Sequence, residues 1–333
     1  EVYVLPWRNS GEHISGSVRL WRSLESVPPN LYDYSELDNL TNTLFIAHSP
    51  PNNLDIPVKS HRYLLQWFNG PDNGVEKNLA NFARDNPNSV LSTHSFPCRA
   101  KPLKDKFGSE NIVCISGPFV RETYSETDNF RAEYLLWPNK LLWAWSQDQG
   151  KARLLEEIFS WCADTLANDA TLKLGFLLGT IGKMEKKGEI AEWFWRIPCS
   201  VPLRNLKDRV DFFNNVEWDQ VETIYKKTRL SISPHINYGG QPFELAAHNI
   251  PTIFTNTGHP FQNEMGKPSF PEVLEIDHRL SDPSFLKLLN RLLTNHSFYR
   301  STGIAYRNFT EQYGTYRAYL NQLDALCRQR SWL

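Results

Sequence analysis

The run SISPHINYGGQPFELAAHNIPTIF, residues 231 to 254, brings together the residue types best suited to chemistry in this chain. An apolar strand-like run ending at Ser233 leads into a turn where Gly239 and Gly240 permit close backbone approach. A short helix begins near Pro242, a residue preorganised for a first helical turn. Free N–H groups and the positive end of such a helix suit an anion such as a diphosphate, with Asn237, Tyr238 and Gln241 alongside. Glu244 in that first turn is favourable with the helix dipole, yet it would repel a phosphate held by the same atoms. A carboxylate there is of more use to one side, accepting hydrogen bonds from sugar hydroxyls such as those of a ribose. A plain capping role accounts for it equally well at this stage.

Lys151 ends the loop Ser146 to Gly150 and can reach a phosphate as a point charge, although a solvated helix lysine looks the same in sequence; Arg153 lies two residues on. His48 closes a strand-like run, where an imidazole can bind a sugar hydroxyl or move a proton. Gly11 and His13 lie in the first strand–helix loop, and His94 and His235 are comparable candidates, though a lone histidine is more often structural. HExxH, GxxxxGK[ST], GxSxG and Asp-x-Asp are all absent, so the chemistry read here needs no metal and no added cofactor.

These residues need a frame, and the apolar pattern supplies an α/β one. Strands are predicted at 2–7, 43–47, 63–68, 89–93 and 111–115, with helices at 18–24 and around 101–107. Residues 121–138 are polar without a clear period and read as an interdomain linker. A second series follows, with strands at 140–145, 172–178, 210–213, 230–233 and 251–254. Its helices are predicted at 151–167, 219–227, from Pro242, at 284–293 and along 296–330. Two α/β domains across a cleft are the simplest outcome. Ligands in such sheets sit beyond the carboxyl ends of the strands, which points to the loops after residues 7, 47, 68, 145, 178, 213 and 233.

Composition narrows the function classes. With 36 basic and 37 acidic residues among 333, there is no basic surplus of the kind a non-specific nucleic-acid binder carries. Five cysteines, at 98, 114, 162, 199 and 327, show no CxxC spacing and read as reduced thiols of a cytoplasmic protein. No apolar run reaches the roughly 18 residues of a membrane span. The start at Glu1, already strand-like, reads as an excised part of a longer chain, and the 11 tryptophans suit core packing or stacking on sugar rings.

With these residues in view, the pattern resembles the GT-B glycosyltransferases, especially glycosyltransferase family 4. The C-terminal domain of that family carries a segment like PSxxEGFGLPxLEAMAxGxPVI. The run quoted above is similar to it, with Tyr238-Gly239 at Phe-Gly, Glu244 at the second glutamate and Pro251 at the proline before the strand. CISGPFVRETY (114–124) is similar to the segment at the family's domain boundary, and LLWAWSQDQGKARLL resembles its strand, glycine-arginine and lysine-glycine stretch, with Lys151 at the lysine. LKLGFLLGTIG and VDFFNNVEWDQVETIYKKTRLSISP resemble the following strands, and the match runs over about 111–325. It departs from the pattern at the first motif glutamate, where Ile236 stands with Asn237 next, and at the arginine, where Gln147 stands.

The resemblance implies a GT-B fold of two Rossmann-like α/β/α domains facing each other across a cleft. Residues 1–125 would form the acceptor side, 126–310 the nucleotide-sugar side, and 311–333 a helix crossing back. It implies retaining, metal-independent transfer from a UDP- or GDP-linked sugar to a glycan or glycoconjugate hydroxyl. His48 and Glu244 would be the catalytic residues. Lys151, Arg153, Asn237, Tyr238, Gly239, Gly240, Gln241 and Glu244 would hold the donor, with Gly11, His13 and His48 on the sugar or acceptor. The protein would be cytoplasmic or peripheral to a membrane and bind no nucleic acid. Two other readings stay open: a non-catalytic GT-B-like glycan-binding or scaffold module, and a DNA-base glycosyltransferase, which the balanced charge does not favour.

Overall fold

Short buried apolar runs pair as parallel strands, because strands covered on both faces by helices need no polar alternation. The structure is a computed structural model. It describes residues 3–4, 30–31, 44–48, 62–66, 75–92, 104–113, 115, 119–124, 128–138, 142, 146–178, 184, 186–233, 241–255, 275–276 and 283–332. They fall into two units, residues 1–115 with 328–333, and residues 116–327, against the division expected after 125 and 310.

In the first unit, β1 (Tyr3–Val4) pairs with β2 (Asn30–Leu31). A second, wholly parallel sheet runs in the order β3 (Leu44–His48), β4 (Arg62–Gln66), β5 (Ser89–Ser92), β6 (Ile112–Val113). Helix α1 (Val75–Asp85) makes the crossover from β4 to β5 and buries Leu79, Ala80 and Ala83 against Tyr63, Leu65 and Leu91. The C-terminal residues complete this unit: Arg62 Nη1 donates to the Trp332 carbonyl at 2.5 Å, and Arg330 Nη2 to the Glu110 carbonyl at 2.8 Å.

The second unit holds a six-stranded parallel sheet. Its strands are β7 (Tyr134–Trp137), β8 (Lys173–Leu178), β9 (Val210–Asn214), β10 (Thr228–Ser233), β11 (Thr252–Thr255) and β12 (Glu275–Ile276). Their spatial order is β12-β11-β10-β7-β8-β9. The crossover helices are α2 (Gln149–Asn168), α3 (Lys187–Arg196), α4 (Trp218–Lys226) and α5 (Gln241–Ala247). A 3-10 stretch, Pro198–Arg209, precedes β9, and α6 (Pro283–Thr294), α7 (His296–Tyr313) and α8 (Tyr316–Gln329) follow the sheet. The core beneath α2 and α3 is aromatic: Trp137, Phe159, Phe176, Phe194 and Phe212 are all buried, with Phe176 stacked on Phe212 at 5.3 Å.

Two sequence readings are corrected here. Residues 121–138 are not a linker throughout, because Tyr134–Trp137 is a fully buried central strand. Of the strand expected at 140–145 only Leu142 is described, and it is helical, as is Ser146 after it. A four-residue strand between the polar flanks FRAE and PNK is too short to show a period, and the neighbouring KLLWAW offered a longer apolar run. A strand, Tyr134–Trp137, lies before the family-like landmark LLWAWSQDQGKARLL.

Helix α2 starts where Asp148 accepts a hydrogen bond from the Lys151 N–H at 3.1 Å. Asp148→Ala is expected to destabilise the fold through loss of this N-cap, seen as a lower midpoint in urea unfolding.

Candidate functional site

Strands β7, β8 and β9 are laid down outward in one direction, and β10, β11 and β12 outward in the other. The order reverses between β7 and β10, which are hydrogen-bonded neighbours. In open α/β sheets that reversal opens a crevice at the carboxyl ends of the two strands, where ligands bind. Right-handed crossovers bring the N-termini of α2 and α5 to this edge. Lys151 and Glu244 thus stand in the first turns of the two helices that follow the strands flanking the reversal.

Helix α5 is fixed from several directions. The Phe243 ring is stacked between Phe119, at 4.5 Å, and Phe309, at 6.4 Å. Leu245, Ala246 and Ala247 are buried. The segment 119–124 lies along the helix: Tyr124 N–H donates to the Ala247 carbonyl and its own carbonyl accepts from Asn249 Nδ2, both at 2.8 Å. Asn249 ends the helix in the left-handed region (φ 57°), which asparagine tolerates, and turns the chain toward β11.

Glu244 is half-buried in the first turn of α5, and its Oε2 accepts from the Tyr225 hydroxyl at 2.8 Å. Burial pushes its carboxyl up to about 7, against the lowering effect of the Tyr225 hydrogen bond. Burial, and then the carboxylate, hold the Tyr225 phenol well above its ordinary range, so it stays a donor. A carboxyl with this midpoint is only partly charged at neutral pH and gains charge when ligand hydroxyls donate to it.

Beside this pair, His248 is buried, stacked on Tyr124 at 4.4 Å, and its Nδ1 has no partner among the described residues. The Tyr124 hydroxyl donates to Glu222 Oε1 at 3.0 Å. Burial pulls the His248 imidazole down from 6.5 to about 4. An unfolded chain then binds a proton that the folded one refuses, so this residue's contribution to stability is lost as pH falls from 6.5 towards 4. His248→Phe keeps the stack and removes that loss. Urea unfolding at pH 5 should show the variant gaining about 2 kcal/mol on wild type relative to pH 7.5.

Lys151 lies in the first turn of α2, exposed, with Nζ at 3.5 Å from Asp148 Oδ2. Arg153 is turned to the outside of the helix, its Nε at 3.8 Å from Glu157. Gln147, also exposed, donates to Ser146 Oγ at 3.2 Å. His48 is the last residue of β3 and Gln241 the first of α5, known here from their backbones alone. Gly11, His13, His94, His235, Asn237, Tyr238, Gly239 and Gly240 lie outside the described residues. Sequence reasoning missed Tyr225, Glu222, Tyr124 and His248. Tyr225 sits on the apolar stripe of α4, so it reads as core, and nothing local announces the bond its hydroxyl makes across to α5. Among the described residues, no group of three or more His, Cys, Asp or Glu side chains could hold a metal ion, and no helix is long and apolar enough to cross a membrane.

No family model matches the sequence, and no curated protein does. Solved structures do. A TarM variant from S. aureus, in complex with fondaparinux, alpha-GlcNAc-glycerol and UDP, superposes with a TM-score of 0.60 at 14% identity, over 87% of this chain and 57% of that one. An α,α-trehalose-phosphate synthase (UDP-forming) from Burkholderia xenovorans matches at 0.57 and 10% identity, over 89% and 75%. The pneumococcal O-GlcNAc transferase GtfA, in complex with UDP and GlcNAc, matches at 0.51 and 11% identity, over 82% and 53%. The chain spans little more than half the length of TarM. At these identities the likeness establishes architecture, and the architecture is the GT-B fold of glycosyltransferases, built on two parallel-sheet α/β units.

Proposed function

We propose that the chain is a glycosyltransferase that moves a sugar from a nucleotide diphosphate sugar, UDP- or GDP-linked, to a hydroxyl of a glycan or glycoconjugate. It does so with retention of configuration and without a metal. The observation that carries this reading is the strand-order reversal of the second unit, with Glu244 in the first turn of α5 and Lys151 in the first turn of α2, in a fold whose solved examples include UDP complexes. Glu244 accepts from the ribose hydroxyls. Lys151 and the backbone N–H groups of 239–241 face the diphosphate, with Arg153, Asn237, Tyr238 and Gln241 as further donor contacts. As the glycosidic bond breaks, the leaving diphosphate gains charge while the sugar approaches an oxocarbenium ion. Positive groups at the diphosphate therefore favour the transition state over the ground state. Gly11, His13 and His48 serve the donor sugar or acceptor.

Incubation with a panel of UDP-, GDP- and dTDP-sugars, followed by assay of released nucleotide with and without glycan acceptors, tests the proposal. Acceptor-dependent release is expected. Ile236 at the position of the family's first motif glutamate favours one other reading, a non-catalytic glycan-binding or scaffold module. That reading predicts no release, and glycan binding that is indifferent to Lys151→Ala or Glu244→Ala.

A further inference from the structure

Glu244 carries one hydrogen bond to a described residue, and its donor comes from a different element. Tyr225 stands on the last turn of α4, fully buried at 1% exposure, and its hydroxyl donates to Oε2 at 2.8 Å. A buried phenol with no access to water must find its partner within the protein. Its carboxylate partner uses one oxygen for that bond, and Oε1 makes none with the described residues.

A glutamate side chain turns about three bonds. A rigid tether at one oxygen removes most of that freedom before a ligand arrives, and thereby aims the other oxygen. The tether's own anchor is stiff, because Tyr225 belongs to a buried cluster with Leu136, Leu177, Ile224, Leu245 and Ile250. The charged and titratable groups around the pair belong to three elements. His248 follows on from α5, Glu222 and Lys226 lie on α4, and Tyr124 lies on the segment along α5. Among the described residues none of these is bonded to Glu244; Tyr225 is.

We propose that Tyr225 is a positioning residue: by holding Oε2 of Glu244 it presents Oε1 to a ribose hydroxyl of the donor, and so sets the preference for ribonucleotides over deoxyribonucleotides. The proposal rests on the donor reading given above. It needs no contact between Tyr225 and the ligand.

The test compares wild type, Tyr225→Phe and Glu244→Ala by calorimetric titration with UDP, GDP and their 2′-deoxy and 3′-deoxy forms. Tyr225→Phe is expected to bind the ribonucleotide about tenfold more weakly, to lose most of its discrimination against the deoxy forms, and to move the midpoint of the affinity–pH profile upward. The direction follows because the lost bond favours the charged carboxylate. A merely structural tyrosine would move neither the deoxy ratio nor the midpoint. If Tyr225→Phe keeps wild-type affinity and ratio while Glu244→Ala loses both, the positioning role is overturned and the donor site stands. If Glu244→Ala binds like wild type, the donor reading itself falls, and this proposal with it. Tyr225→Met, which fills the space without a hydroxyl, provides the same comparison should the phenylalanine variant fold poorly.

Discussion

Replacing Glu244 with glutamine is expected to weaken nucleoside diphosphate binding and, in the same molecule, to strengthen the unliganded fold at alkaline pH. The loss of affinity should be about 10- to 100-fold, the usual worth of hydrogen bonds from ligand hydroxyls to a charged acceptor. The gain in stability comes from burial. The folded carboxyl titrates near 7, against 4.5 as its ordinary value, so the folded state holds its proton more tightly than the unfolded one. Stability therefore falls as pH rises from 4.5 to about 7, and the full penalty is present above that. Glutamine carries no such penalty and can still accept from Tyr225. Allowing for the partial exposure of the carboxyl, Glu244→Gln should be about 2 kcal/mol more stable than wild type at pH 8 and show little difference at pH 4. Urea unfolding at the two pH values checks it. A group that destabilises the empty protein and strengthens the liganded one is the behaviour of a binding residue, whereas a helix cap would lose stability when replaced.

The second large effect concerns the packing that fixes α5. Gly303, in the middle of α7, faces the Asn249 carbonyl so closely that an added Cβ would run into that oxygen. Gly314, after the same helix, faces the Phe243 ring in the same way. Helix α7 can therefore lie against the site helix only because these two positions lack a side chain. Gly303→Ala forces backbone apart, since the obstacle is a carbonyl and not the flexible end of a side chain. The expected cost is about 2–3 kcal/mol, seen as a melting temperature lower by about 5–10 °C. Because Asn249 lies two residues after the end of α5, UDP affinity should fall with it. Gly188, on the exposed first turn of α3, has nothing within 4 Å of an added Cβ. Gly188→Ala is the matched comparison and should be neutral or slightly stabilising.

Most of the second sheet was legible because buried parallel strands announce themselves as unbroken apolar runs: LKLGFLL, VDFF and SIS all became strands. The exceptions were Glu275–Ile276, only two residues long, and Tyr134–Trp137, whose four residues give no period and whose neighbours look more strand-like than it does. Glu244 was legible as a candidate because its position, on an apolar helix straight after a glycine pair, conflicts with simple burial. Its state was not. The pKa shift and the Tyr225 bond depend on residues 19 positions apart that meet only when α4 and α5 pack on the same sheet. The partner of His248 in its stack, Tyr124, is further still along the chain, so this buried histidine could not be distinguished in sequence from any other. What local pattern records is where most strands and helices lie along the chain. What it leaves out is which polar groups of distant elements are brought together.

Hydrogen–deuterium exchange, followed by mass spectrometry with and without saturating UDP or GDP, tests the central claim most directly. The account predicts slowed exchange at the N-terminal turns of α2 and α5, residues 146–152 and 241–245, which flank the switch-point crevice and lie far apart in sequence. Protection confined to other segments, or no protection by either nucleotide, would contradict it.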